Sequence, residues 1–156
     1  MKIGIIVHSF TGNTLSVAEK IKEKLKIAGH EAQIAQIKIA GGEQPNMLQF
    51  SIEDAPETSG YDALVIGAPV RAFQASPVIV AYLSGLPVLN GKKTAVFVTK
   101  QLPANWMGGN SAIKKMKALC SEKGANVVAT GIVNWSNKNR EQMIEEETEK
   151  ICKAIG

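Results

Sequence analysis

The chain has 156 residues, 45% of them hydrophobic, 21% charged and 5% aromatic, with a formal charge of +4 from 18 Lys and Arg against 14 Asp and Glu. This composition excludes a disordered chain, and the length suits one domain with a substantial core. Arginine occurs only at Arg71 and Arg140, which argues against nucleic-acid recognition, and no apolar run reaches the ~20 residues that span a bilayer, so no membrane span is expected.

Lys2–Val7 (KIGIIV) is an almost continuous apolar run, as in a strand buried on both faces. Ser9–Thr14 (SFTGNT) reads as a turn. Leu15–Ala28 is a helix with the stripe Ala18, Ile21, Leu25 and Ala28, and Gly29 stops it. Ala32–Ile39 (AQIAQIKI) is the second strand, its imperfect alternation marking an edge or a bulge. Residues 40–60 are punctuated by glycine and proline, with a short helix expected around Met47–Glu53. Asp62–Ile66 (DALVI) is the third strand. Ser76 caps and Pro77 opens a helix through Leu83, apolar nearly all round and expected to be well buried. Thr94–Thr99 (TAVFVT) is the fourth strand. Ser111–Lys123 is a helix with the stripe Ile113, Met116, Leu119 and Cys120, and Asn126–Val133 (NVVATGIV) is the fifth strand. Asn139 and Gln142 form a capping box for a last helix that buries Ile144, Thr148, Ile151 and Ile155. Glutamates near the start of that helix suit its dipole.

This alternation predicts a single α/β domain over residues 1–156, with a parallel sheet and helices on both faces. A ligand site belongs outside the carboxyl ends of the strands, at the switch point. Cys120 and Cys152 fall in helices and show no metal-ligand spacing; a disulfide between them stays open, and a reducing, cytoplasmic setting fits. His8 reads as a satisfied, buried or half-buried histidine and His30 as exposed. Two isolated histidines make no metal site, and no catalytic residue is assigned.

The turn after the first strand carries the strongest functional signal. Ser9, Thr11 and Thr14 bring hydroxyls, Gly12 can take a positive φ, and the first-turn amides lack intrahelical partners. Together they can form a nest for a phosphate, resting on dipoles and hydroxyls because the turn holds no Lys or Arg. An ordinary capped turn is the other reading. The turn is neither a Walker A sequence nor GxGxxG, so ATP hydrolysis and NAD binding lose weight.

Here the sequence resembles the flavodoxin family, whose phosphate loop runs Ser/Thr-x-Thr-Gly-x-Thr. Ser9, Phe10, Thr11, Gly12, Asn13 and Thr14 match every defining position. The resemblance covers essentially the whole chain and is of the short-chain type, since no large insertion interrupts the fifth strand. It implies an open five-stranded parallel sheet of order 2-1-3-4-5, FMN as cofactor, and low-potential electron transfer with redox partner proteins. It also implies that Pro69, Val70, Arg71, Ala72 and Phe73 line one side of the isoalloxazine. Thr99, Lys100, Gln101, Trp106, Gly108 and Gly109 would line the other.

Two departures stand out. Arg71 replaces the family's usual aromatic, and the common Tyr of the later loop is absent. Arg71 or Phe73 can stack on the ring instead, or Arg71 faces solvent and Phe73 is core. Trp106 can replace the Tyr, or serve as a core anchor or partner contact. Trp135 covers the end of the sheet or lies near the cofactor mouth. Flavodoxins are usually acidic, so the basic balance here implies partners with acidic docking surfaces. The alternatives are an FMN-dependent quinone or flavin reductase, and an interaction protein of this fold that has lost FMN.

Overall fold

The computed structural model describes residues 1–41, 50–101 and 108–156. The strands are β1 (Lys2–Val7), β2 (Glu31–Gln36), β3 (Lys38–Ile39), β4 (Ile52–Asp54), β5 (Ala63–Arg71), β6 (Gln74–Ala75), β7 (Lys93–Lys100) and β8 (Asn126–Asn134). The helices are α1 (Asn13–Ile27), α2 (Pro77–Ser84), α3 (Gly109–Glu122) and α4 (Arg140–Ile155).

The apolar strands end up in the middle of the sheet. β2, β1, β5, β7 and β8 lie side by side in that order, all parallel, which is the expected 2-1-3-4-5 arrangement. Alternate residues serve opposite faces. Ile3, Ile5, Val65 and Phe97 pack with α1 and α4, whereas Ile6, Leu64, Ile66 and Val98 pack with α2 and α3. The edge strands β2 and β8 are only partly buried.

Several expectations need correction. The helix expected around Met47–Glu53 is not what residues 52–54 form. They make β4, antiparallel to β3, with Ile39 opposite Ile52; Met47–Gln49 lie outside the described residues. The reason is burial, because Ile39 and Ile52 join the core beneath α2 and α3. The second strand stops at Gln36, and Lys38–Ile39 leave the main sheet. The third strand runs on to Arg71 through Gly67-Ala68-Pro69, which look like breakers. Pro69 lies past the last residue of β5 in register with β1, Gly67, so its missing N–H removes no bond to that strand.

α1 begins at Asn13, ahead of the expected Leu15, and buries Val17 while Ala28 is exposed beyond its end. α2 is less enclosed than expected: Ala81 is exposed and Val80 half-buried. No capping box forms at α4. Asn139 makes no side-chain cap; its N–H donates to Asn137 Oδ1 at 2.8 Å, and Gln142 Nε2 donates to Glu146 Oε1 at 3.0 Å. Only Glu141 lies in the first turn of α4; Glu145 and Glu149 instead receive hydrogen bonds from Lys24 of α1. His30 is half-buried, with Nδ1 3.3 Å from the terminal amine.

Cys120 and Cys152 are both free. Burial pushes the Cys120 thiol up to about 12 and the Cys152 thiol up to about 11, from an ordinary value of 9.0. The unfolded chain therefore releases these protons first. Their contribution to stability is complete below about pH 9 and is lost as pH rises towards 12. Urea midpoints should fall between pH 9 and 11, and the fall should be shallower in Cys120→Ala by up to ~1.4 kcal/mol per pH unit. Equal slopes in the two proteins would contradict this. No helix among the described residues is long and apolar enough to cross a membrane.

Candidate functional site

At the carboxyl ends of β1, β5 and β7 three loops converge where the strand order reverses. The first is the turn Ser9–Thr14. Gly12 is the N-cap of α1 with φ +93°, and nothing lies within 4 Å of where a Cβ would stand, so its backbone faces open space. Gly12, having no side chain, makes no cap hydrogen bond of its own. The Leu15 amide donates to Ser9 Oγ at 3.3 Å, and the Ser16 amide to Gly12 O at 2.9 Å. Phe10 and Thr11 are exposed, and Asn13 is half-buried. Thr14 turns inward: its hydroxyl pairs with that of Thr99 at 2.8 Å and ties α1 to the end of β7.

His8 is buried and links the first loop to the second. Its amide donates to Gly67 O at 3.0 Å, and its Nδ1 lies 3.1 Å from Ser76 Oγ. Ser76 occupies the N-cap position of α2, as expected, but makes no side-chain cap hydrogen bond there.

The second loop is a hairpin that sequence reasoning missed. Val70 pairs with Ala75 and Arg71 with Gln74. Ala72 and Phe73 form the turn, with φ of +50° and +63°. Two left-handed central residues are what a tight type I′ hairpin demands. The usual Asn or Gly signal is absent, so the sequence gives no warning. Phe73 is 59% exposed and therefore not core. Arg71 does not simply face solvent: its guanidinium lies 4.5 Å from the Phe10 ring centroid, joining the hairpin to the first loop.

Ahead of α3, Gly108 lies against the hairpin. Gly108 has φ +104°, and a Cβ there would lie 2.7 Å from both Phe73 Cα and Val70 Cγ1. Gly109 sits over Lys100, whose Cδ is 3.2 Å from the corresponding position. Lys100 is 4% exposed, and burial lowers its pKa below the ordinary lysine value. Gln101 is exposed; Trp106 lies outside the described residues. Trp135 packs against the α1 and α4 core, its amide donates to Lys100 O at 2.7 Å, and the Arg140 guanidinium lies 4.9 Å from its ring.

No protein-family model matches the sequence, and no curated protein matches it. Solved structures do match. A flavodoxin from Streptococcus pneumoniae TIGR4 superposes with a TM-score of 0.73 at 15% identity, over 99% of this chain and 97% of that one. The chain has the flavodoxin fold. Oxidised flavodoxin 2 from Bacillus cereus gives 0.71 at 21% identity, over 98% of this chain and 99% of that one. A short-chain flavodoxin associated with a PDU bacterial microcompartment gives 0.69 at 16% identity, over 100% and 99%. Within the flavodoxin fold, the Ser9–Thr14 turn, the 69–75 hairpin and the start of α3 occupy one end of the sheet.

Proposed function

We propose that the protein binds FMN at the carboxyl ends of β1, β5 and β7 and carries electrons between redox partners. The observation that supports this best is the Ser9–Thr14 turn, with its left-handed Gly12 facing open space at the start of α1, where the Leu15 amide is already held by Ser9 Oγ and the amides of Asn13 and Thr14 precede it. These groups fit a phosphate monoester without a cation. Ser9 and Thr11 would contribute hydroxyls, the first turn of α1 its amides. Thr14 would contribute its amide and, accepting from Thr99, would keep its own hydroxyl proton to donate. The hairpin residues Pro69–Phe73 would line one side of the ring, and Thr99–Gln101 with Gly108–Gly109 the other. FMN supplies the redox chemistry when bound; these residues would hold it, orient it and shield it from water.

The test is an absorption spectrum of the purified protein before and after FMN addition. Uptake of one FMN per chain, with shifted flavin bands and quenched fluorescence, is expected at micromolar protein. A protein that returns colourless from desalting would sink the reading and favour an interaction module of the same fold.

Two cations adjoin the proposed ring site, Arg71 on the hairpin and buried Lys100 at the end of β7. Positive charge favours the more negative, reduced form of the cofactor. Arg71→Gln and Lys100→Met should each make reduction harder. Potentiometric titration should show drops of tens of millivolts, on the scale of about 30 mV for every 1.4 kcal/mol in a two-electron couple. Unchanged potentials in both variants would remove these residues from the site.

A further inference from the structure

The charges of this chain are segregated. No Asp or Glu occurs between Asp62 and Glu122, a stretch that holds seven Lys and Arg residues and makes β5, β6, α2, β7 and most of α3. α2 carries no charge at all. α3 exposes Lys114, Lys115 and Lys117 on one side, with Ser111, Ala118 and Ser121 between them. None of these lysines has a carboxylate three or four residues away, and Lys114 and Lys117 repel one another at i,i+3. The opposite face behaves differently. There Lys24 holds Glu145 and Glu149, and Lys150 and Lys153 pair with Glu147 and Glu149 along α4. Among the described residues, the ion pairs involve no lysine of α3. The helix thus keeps a small electrostatic penalty that one glutamate would relieve.

Its position explains what that penalty serves. The start of α3 abuts the hairpin, where Arg71 and the exposed Phe73 stand beside the proposed mouth of the cofactor site. We infer that the α3 face, from Lys117 up to Arg71 and Phe73, docks a redox protein whose own contact surface is acidic. This rests on the FMN reading above. Lysine-rich rims steer transient encounters, and an aromatic at the contact centre anchors them. Nucleic acid is a poorer occupant, because three lysines neutralise only about three phosphates. A lipid surface is poorer too: α3 exposes no large apolar residue between its lysines, and each lysine is worth only about 1 kcal/mol at an anionic membrane.

The test uses the FMN-loaded full chain, reduced with dithionite and mixed with ferric haem proteins, each haem iron accepting one electron from the reduced protein. The probes are the acidic soluble domain of a cytochrome b5 and basic cytochrome c. Reaction with the acidic probe should slow at least ~10-fold between 20 and 300 mM salt. The triple variant Lys114→Glu, Lys115→Glu, Lys117→Glu should lose that rate at low salt by a similar factor and react faster with cytochrome c, with its flavin spectrum unchanged. A triple variant as fast as the parent on the acidic probe overturns the proposal. So does parent binding to duplex DNA or to phosphatidylserine vesicles at 150 mM salt that the variant loses. Calorimetric binding of the acidic probe needs no FMN. Loss of FMN uptake with binding retained would therefore strike only the cofactor reading, and loss of binding with FMN retained only the docking surface.

Discussion

Replacing Gly108 by valine should weaken FMN retention by at least ~100-fold and lower stability by several kcal/mol, in the range set by backbone strain plus overpacking. Two independent costs meet at this residue. Its φ of +104° is a conformation that a β-branched side chain scarcely adopts. A Cβ would also stand 2.7 Å from Phe73 Cα and 2.8 Å from Phe73 C. Those are backbone atoms of a tight turn already held with two left-handed residues, so they cannot swing aside as a side-chain tip would. Either α3 withdraws from the hairpin or the hairpin opens. Both movements separate the two walls proposed for the ring. Gly29→Ala, at the far end of α1, is the control: its φ of +93° is also left-handed but a Cβ there meets nothing within 4 Å, so only strain of about 1 kcal/mol is expected. Urea midpoints and fluorescence titration with FMN read the two quantities separately. A Gly108→Val protein that keeps its midpoint and its FMN affinity would show that the hairpin and α3 do not cooperate.

How far the sequence anticipates this arrangement depends on whether the information is local. β1, β5 and β7 are legible because a strand buried on both faces must be apolar throughout, and their order follows from the alternation with helices. The turn Ser9–Thr14 proposed to hold a phosphate can be picked out locally because its glycine and hydroxyls lie within six residues. The hairpin is not legible. Ala72 and Phe73 hold left-handed angles without being Gly or Asn, and what packs around their hairpin, Gly108 and the Arg71–Phe10 contact, comes from distant parts of the chain. The same holds for β4, where Ile52 and Asp54 pair with Ile39 and Lys38 of β3 and where Ile39 and Ile52 share a core beneath distant helices. Thr14 shows the limit within the motif itself. Its type and spacing match a phosphate ligand, and its hydroxyl also pairs with Thr99, a partner that only the folded sheet brings near. The acid-free stretch from β5 into α3 is plain in the sequence, but its meaning depends on α2 and α3 landing on the same side of the sheet.

Gly67→Ala should be the most destabilising single methyl that can be added to the chain's centre. Gly67 lies opposite Phe97 on the neighbouring strand, and the ring folds across the bare glycine: a Cβ there would stand 2.1 Å from Phe97 Cζ and 2.3 Å from Cε1. Phe97 is fully buried between the sheet and the α1 and α4 layer, so the ring has no free space to retreat into. The expected cost exceeds ~3 kcal/mol, a large share of the 5–15 kcal/mol that holds a typical domain together. The second-site change Phe97→Leu tests the mechanism. Alone it should destabilise by leaving a cavity; combined with Gly67→Ala it should restore part of the loss, since the methyl then fills space the ring has vacated. Additive losses in the double variant would show that the ring and the glycine do not interlock as described. Because Gly67 O also receives the His8 amide, any shift of β5 is passed to the first residue beyond β1. FMN affinity in Gly67→Ala should therefore fall only to the extent that the folded fraction or this junction is disturbed. Gly108→Val should instead lose affinity even in protein that remains folded, and that contrast separates the packing of the sheet from the assembly of the site.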